Sequence, residues 1–301
     1  MTRSRAVATM LLVTLLWSTA GVVSRWLEQA AAFEITFWRS AFNALALLPL
    51  LLVLRGPRAL SASLRQGGAA LWISGLCWSV MFTAFMVALS FTSVANVLVT
   101  MALGPLFTAL LARLLLGHRL ASRTWIAIAV AGAGIAWMHG SQLDTGNTRH
   151  WVGTAIALAV PVAGAINWTL LQHLRGRAQG GQSGPDMLPA VLVGALISVA
   201  VTLPLAWPLQ ASAHDIGWLA LLGVFQLAIP CLLAVTVARW LSGPEIALLA
   251  LLEVVFGVAW AWLGAGEAPT AATLGGGMLV LLALAGNEAL ALRRVAAPAS
   301  A

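Results

Sequence analysis

The sequence predicts an all-α integral membrane protein of ten transmembrane helices, arranged as two inverted five-helix repeats. Three observations predict it. The 301 residues are 61% hydrophobic and only 8% charged, against about 25% charged in a soluble domain, and a surface facing water cannot carry so apolar a chain. Ten apolar runs each approach the roughly 20 residues that a spanning helix needs. A shift of 149 residues lays the second half of the chain on the first without a gap.

The spans fall near 7–26, 33–54, 69–91, 94–116, 123–139, 151–171, 187–207, 217–239, 244–264 and 270–292. The fifth is short and rich in small residues. Turn-forming clusters punctuate them: Arg55-Gly56-Pro57-Arg58, Gly140-Ser141, Gly180-Gly181-Gln182-Ser183-Gly184-Pro185, Gly243-Pro244 and Ala268-Pro269. The first run follows Arg3 and Arg5, as a signal peptide would. It is longer than a signal core, lacks a small-x-small cleavage site and precedes nine further spans, so it is expected as a retained helix.

The net charge of +7 comes from arginine without lysine. On a soluble chain a pI near 11.5 would point to nucleic acid. Here the arginines lie singly or in small groups between apolar runs, where they set topology. With ten spans and a cytoplasmic N-terminus, thirteen of the sixteen fall inside: Arg3, Arg5, Arg55, Arg58, Arg65, Arg113, Arg119, Arg123, Arg175, Arg177, Arg239, Arg293 and Arg294. Arg25 and Arg149 fall outside, and Arg39 lies within the second span. Both termini are therefore expected in the cytoplasm of a cell with this protein in its inner membrane. Cys77 and Cys231 lie in apolar runs and read as small buried hydrophobes, without disulfide or metal spacing.

In the 149-residue register, Leu114-Leu115-Leu116-Gly117-His118-Arg119-Leu120 lies on Leu263-Gly264-Ala265-Gly266-Glu267-Ala268-Pro269, and Ser93 lies on Ser242. The third to fifth spans fall on the eighth to tenth. Five spans per half is an odd number, so the second half enters the membrane inverted, the architecture of many secondary transporters. The expected division is residues 1–147 and 148–301.

Several short motifs are shared with a known family. They are Leu16-Trp17-Ser18, Phe37-Trp38-Arg39-Ser40-Ala41, Ala88-Leu89-Ser90-Phe91-Thr92-Ser93-Val94-Ala95-Asn96, Gly104-Pro105-Leu106, Gly117-His118-Arg119-Leu120, Leu252-Glu253-Val254-Val255 and Gly266-Glu267. In this order and spacing the chain resembles the EamA-type ten-helix transporters of the drug/metabolite transporter superfamily over nearly its whole length. His118 stands where that family usually has Glu, and Val254 where it usually has Pro. The resemblance implies export of small metabolites, such as amino acids or related amphipathic compounds.

A charge inside the bilayer costs about 2.5–3.5 kcal/mol on insertion scales, so each is a functional candidate. Glu253 lies about nine residues into the ninth span, roughly 14 Å deep at 1.5 Å per residue, and is too short to snorkel. It is the sole carboxylate clearly inside the membrane, and therefore the candidate for contacting substrate or carrying a proton; an interhelical hydrogen bond is the alternative. Arg39, some six residues into the second span, either snorkels outward or serves the site, and pairing with Glu253 is open. The five histidines fall at span boundaries and are expected to be solvated.

Neutral polar residues add Asn43 one turn from Arg39, Asn96 and Thr100 one turn apart, Asn167, and Gln226, each a cavity candidate or a helix-to-helix hydrogen bond. Trp17, Trp38, Trp78 and Trp168 lie deep enough to line a cavity. Trp26, Trp125, Trp151, Trp218 and Trp240 suit the interfacial belt. Pro105, Pro161 and Pro230 interrupt spans and are hinge candidates. Gly132, Gly134 and Gly275 to Gly277 suit close helix packing or a homodimer.

No Walker motif or H-E-x-x-H is present, so ATP drive within this chain, a cofactor and a metal are not expected. The expected partners are a small-molecule substrate and the lipid bilayer, without nucleic acid. The leading expectation is alternating-access export, possible proton coupling included. A scaffold, a channel, an intramembrane enzyme or an importer of the same fold are the alternatives.

Overall fold

The computed structural model describes residues 2–116, 122–140, 148–179, 185–241 and 243–296. Among them every regular element is helical. In chain order these are α1 Arg3–Ser24, α2 Ala32–Arg55, α3 Pro57–Gln66, α4 Gly68–Leu89, α5 Val94–Met101, α6 Gly104–Leu116, α7 Ser122–Gly140, α8 Thr148–Gln179, α9 Pro189–Ala206 and α10 Ala213–Leu221. A π-helical segment, Leu222–Ala228, follows, then α11 Ile229–Val237, α12 Gly243–Ala265 and α13 Ala271–Ala296. The motif Gly117-His118-Arg119-Leu120, with Ser141, Ser242 and most of the Gly180–Pro185 run, lies outside the described residues.

Seven described stretches are long and apolar enough to cross a bilayer, from Arg3–Ser24 to Ala213–Val237. Three shorter apolar helices, Trp125–Gly134, Leu249–Ala265 and Ala271–Asn287, lie at the expected fifth, ninth and tenth spans. This is a multi-pass membrane protein. Its outer face shows why: Val53 is 83% exposed and Leu263 79%, side chains that only lipid can cover. Trp26, Trp125, Trp151 and Trp240 are likewise exposed, as belt residues are.

The helices differ from the expected spans in three ways. Gly56, at φ +77°, ends α2 and Pro57 starts α3. This ten-residue helix buries Leu60 against the bundle and leaves Arg58 and Arg65 exposed. The fourth span breaks between α5 and α6, and the eighth carries the π-helical segment in its middle.

Backbones approach closely where the side chain is hydrogen. A Cβ on Gly134 of α7 would sit 2.7 Å from the Gly276 carbonyl of α13, so these two helices pack as the glycine pattern predicts. Gly132 faces open space and takes no part.

The two ends of the bundle are tied differently. At one end Asp186 bridges Arg55 (2.8 Å) and Arg239 (3.2 Å). At the other, carboxylates hold backbone N–H groups. Asp215 is fully buried and accepts from the amides of Glu28, Gln29 and Ala30 at 2.8–3.0 Å, while it also completes a capping box with Ser212. Glu34, 1% exposed, accepts from Gln210 and Ala211 at 2.8–3.0 Å. Arg25 joins Glu267 (2.9 Å), the Leu89 carbonyl (2.8 Å) and the Thr92 carbonyl (3.0 Å), and Glu267 accepts from the Val94 amide at 2.7 Å. His150 is also buried at this end, 2.6 Å from the Thr92 hydroxyl and 3.0 Å from the Asn96 amide. That corrects the expectation of solvated histidines: the turn before α5 folds over the start of α8 and covers the ring.

Asp215→Ala leaves the three backbone amides of Glu28, Gln29 and Ala30 without their acceptor. Each hydrogen bond to a charged group contributes about 1.5–3 kcal/mol, so the detergent-solubilised variant is expected to melt several degrees lower. Glu28→Gln, at an exposed carboxylate, is the control that leaves the melting temperature near wild type.

Candidate functional site

Proline has no N–H, and its ring presses on the carbonyl four residues back. Pro230 therefore denies a partner to the Gln226 carbonyl. The chain relieves the conflict by widening over Leu222–Ala228, where the Ile229 amide bonds the Val224 carbonyl in a π-turn. Gly223 lets this widened turn press on α2: a Cβ there would stand 2.7 Å from the Arg39 carbonyl and 2.9 Å from the Asn43 amide nitrogen. Pro105 acts in the same way at the α5–α6 break, being the second residue of α6. Pro161 stays within a continuous α8.

These irregularities surround a cavity of about 170 Å³ between α1, α2, α4, α5, α6, α8, α11 and α12. Six of the expected side chains line it: Trp17, Arg39, Trp78, Trp168, Gln226 and Glu253, with Pro105 and Pro161 in the wall. Phe82, Phe85 and Met81, which the sequence did not single out, supply much of the remaining surface. Glu253 is the eleventh residue of α12, about halfway along the helix.

Arg39 does not snorkel. It is 2% exposed and turned into the bundle. Its Nε and Nη2 donate to the Gln226 Oε1 at 3.1 and 2.7 Å, and its Nη1 donates to the Phe82 carbonyl at 3.4 Å. The guanidinium also lies over the Phe85 ring, 5.7 Å from its centre. The Gln226 amide nitrogen donates in turn to the Trp17 carbonyl at 3.2 Å. Among the described residues no salt bridge joins Arg39 to Glu253. The cavity thus holds a cation and an acid that do not touch, in an aromatic setting where Trp78 and Trp168 meet edge to face at 6.0 Å.

The other candidates lie elsewhere. Trp38 donates to Glu34 at 3.3 Å, near the start of α2. Thr100 donates to the Asn96 carbonyl at 2.7 Å, and Asn96 itself faces Thr92 and His150. Asn167 accepts from Ser74 at 2.6 Å. Asn43 is wholly buried, and neither side-chain amide atom has a hydrogen-bond partner among the described residues. Pro230 shapes the site through the π-turn without lining it. The structure therefore brings together Arg39, Glu253, Gln226 and three of the four tryptophan candidates, leaves Trp38 outside, and assigns Asn96, Thr100 and Asn167 to helix contacts.

Residues 4–140 match the family model of the EamA-like transporter family, the family that the sequence motifs resemble. The chain is similar to the pseudopaline exporter of Pseudomonas aeruginosa strain UCBPP-PA14, with 25% identity over 280 residues, covering 91% of this chain and 93% of the exporter. The same exporter of strain PAO1 matches equally, at 25% identity. A solved crystal structure aligns over 98% of this chain and 100% of its own, with a TM-score of 0.63 and 17% identity. That likeness shows the fold.

Gly223→Ala forces the π-turn off α2 and so pulls Gln226 from Arg39. Overpacking of this kind costs about 1–3 kcal/mol. The variant is expected to lose thermal stability in detergent, whereas Gly217→Ala, where a Cβ meets nothing within 4 Å, is expected to melt as wild type does.

Proposed function

From a chain whose residues 4–140 are EamA-like, we propose that the protein is a secondary active exporter of the inner membrane. It carries small metabolites, amino acids or related amphipathic compounds, by alternating access. Ten helices cross the bilayer as two inverted repeats, residues 1–147 and 148–301, with both termini in the cytoplasm. The observation that carries this reading is the mid-helix cavity whose wall holds an acid with no ion pair among the described residues, Glu253, together with a buried arginine.

The repeat is supported by helix positions. Shifted by 149, the α5–α6 stretch Val94–Leu116 becomes 243–265, the range of α12, and the start of α7 at Ser122 becomes Ala271, the start of α13. The packing repeats as well: α1 lies on α12 as α8 lies on α6.

Access is supported by the asymmetry of the ends. The Arg25–Glu267 clasp ties α1, α4, α5 and the α12–α13 connection together at one end. Toward the other end the cavity wall reaches Met10 of α1 and Ile246 of α12, one turn from the start of that helix. The cytoplasmic opening of the transport cycle is assigned to this arginine-rich end, opposite the clasp. Glu253, without an ion pair among the described residues, is the group that takes the substrate or a proton. Carrying a proton means gaining and losing it as access alternates, which a carboxylate locked to Arg39 would resist.

The test compares extracellular metabolites of cells overproducing the wild type, Glu253→Gln or an empty vector, at equal membrane levels. Enrichment of one compound class by the wild type, reduced at least tenfold in Glu253→Gln, is the expected result. Equal enrichment by both proteins removes Glu253 from the mechanism. No enrichment over the empty vector, or intracellular accumulation instead, overturns export.

A further inference from the structure

We infer that Gln226 sets the charge preference of the cavity: it holds Arg39 with a neutral oxygen, leaving the guanidinium charge for an anionic group on the ligand. This deepens the transport reading and rests on the cavity being the ligand site.

The orientation of the Gln226 amide is fixed by its neighbours. Oε1 receives two N–H bonds from a guanidinium, which only donates, and Nε2 donates to the Trp17 carbonyl, which only accepts. A flipped amide would oppose donor to donor and acceptor to acceptor. The widened π-turn delivers this side chain to the cavity wall, so the amide is a built feature and 3% exposed.

Arg39 is thereby positioned without a carboxylate in hydrogen-bond contact, and Glu253 on the same cavity wall acts on it only through space. A guanidinium has five N–H donors; two go to Gln226 and one, at 3.4 Å, to Phe82. Two remain without an acceptor among the described residues, on a group that lines the cavity. A carboxylate at position 226 would form a bidentate ion pair in the same geometry, the strongest partner available to arginine. The amide is nearly isosteric with it and differs in charge. A buried cation left in this condition favours any small anion that enters, because the low local dielectric magnifies their attraction.

A cavity of about 170 Å³ is of the order that holds one aromatic ring, as an apolar cavity of about 150 Å³ binds benzene. Benzoate, its neutral isostere benzamide, and benzylamine therefore serve as probes. Each is titrated at pH 8 into purified protein in detergent, read by the fluorescence of the cavity tryptophans and by melting temperature. Wild type is expected to bind benzoate at least tenfold more tightly than benzamide. Gln226→Glu, which pairs Arg39 in place and adds one negative charge to a cavity that already holds Glu253, is expected to lose that preference and to favour benzylamine. A lesion that merely loosens the fold would weaken all three probes together and would not reverse their order.

Equal affinity of the wild type for benzoate and benzamide, or no benzoate binding, overturns the inference, and so does a benzoate preference retained by Gln226→Glu. Should that variant not fold, the wild-type comparison decides alone, since a compensated Arg39 gives no preference for the anion. Benzoate selectivity in a protein that exports nothing would leave this site standing and remove the transport reading. Export without selectivity would do the reverse.

Discussion

Inside a bilayer there is no bulk water to receive an unpaired carbonyl or a buried charge, so leaving either without a partner in the protein is costly. Much of what is irregular in this structure follows from that constraint acting at Pro230. The missing N–H strands the Gln226 carbonyl, the helix widens into a π-turn to absorb the defect, and the widened turn carries a side-chain amide to the one buried arginine of α2. A regular α-helix would have placed position 226 differently against Arg39. The cost of burying the guanidinium is thus met by a backbone fault that a proline introduces.

The same constraint shapes the ends, with carboxylates in place of arginine's partners. Asp215, Glu34 and Glu267 each accept from main-chain N–H groups in the connections between helices. A connection at the membrane surface lacks the repeating bonds of a helix, and one carboxylate can satisfy several amides at once. This explains why so acid-poor a chain, with nine Asp and Glu residues, places these three where loops converge. The opposite end relies on Asp186 between two exposed arginines, a contact of small net stabilisation in water. One end is knit through its backbone, and the other through surface ion pairs that exchange readily with solvent. An asymmetry of this kind suits a bundle that opens at one end more easily than the other.

The helix positions were legible because a run of apolar residues is a local property, visible one window at a time. So were Arg39 and Glu253, since charge in such a run stands out by contrast, and so were Trp17, Trp78 and Trp168 as cavity residues, whereas Trp38 turned to Glu34 instead. The pairings were not. Arg39 meets Gln226 across 187 residues and Arg25 meets Glu267 across 242, and no spacing rule connects positions so far apart. Phe82 and Phe85 gave no signal, because aromatic residues on an apolar helix look alike whether they face lipid, core or cavity. The burial of His150 was missed for a related reason: it lies at a span boundary, and what covers it is the turn at Thr92, which belongs to another helix pair. Pro230 was visible as an interruption, but its effect on Gln226 was not: proline frees a carbonyl, and only the packing decides how the chain resolves it.

The division of charge between the proposed repeats bears on how movement and binding are coupled. Under the 149-residue shift Glu253 falls on Gly104, Arg39 on Leu188 and Gln226 on Cys77, so none of the three polar groups is duplicated. The cation comes from residues 1–147, and the acid and the amide from 148–301. Two halves alike in helices but unlike in charge cannot neutralise themselves by symmetry. A ligand bearing an anion for Arg39 touches one repeat, and a proton or ammonium group on Glu253 touches the other. Under the proposed transport cycle, occupancy of both groups would alter the electrostatic cost of sliding the halves past each other, since moving an isolated buried charge relative to its surroundings is costly and moving a compensated one is not. The gap between Arg39 and Glu253, which a direct salt bridge would have closed, is what leaves that cost for the ligand to change.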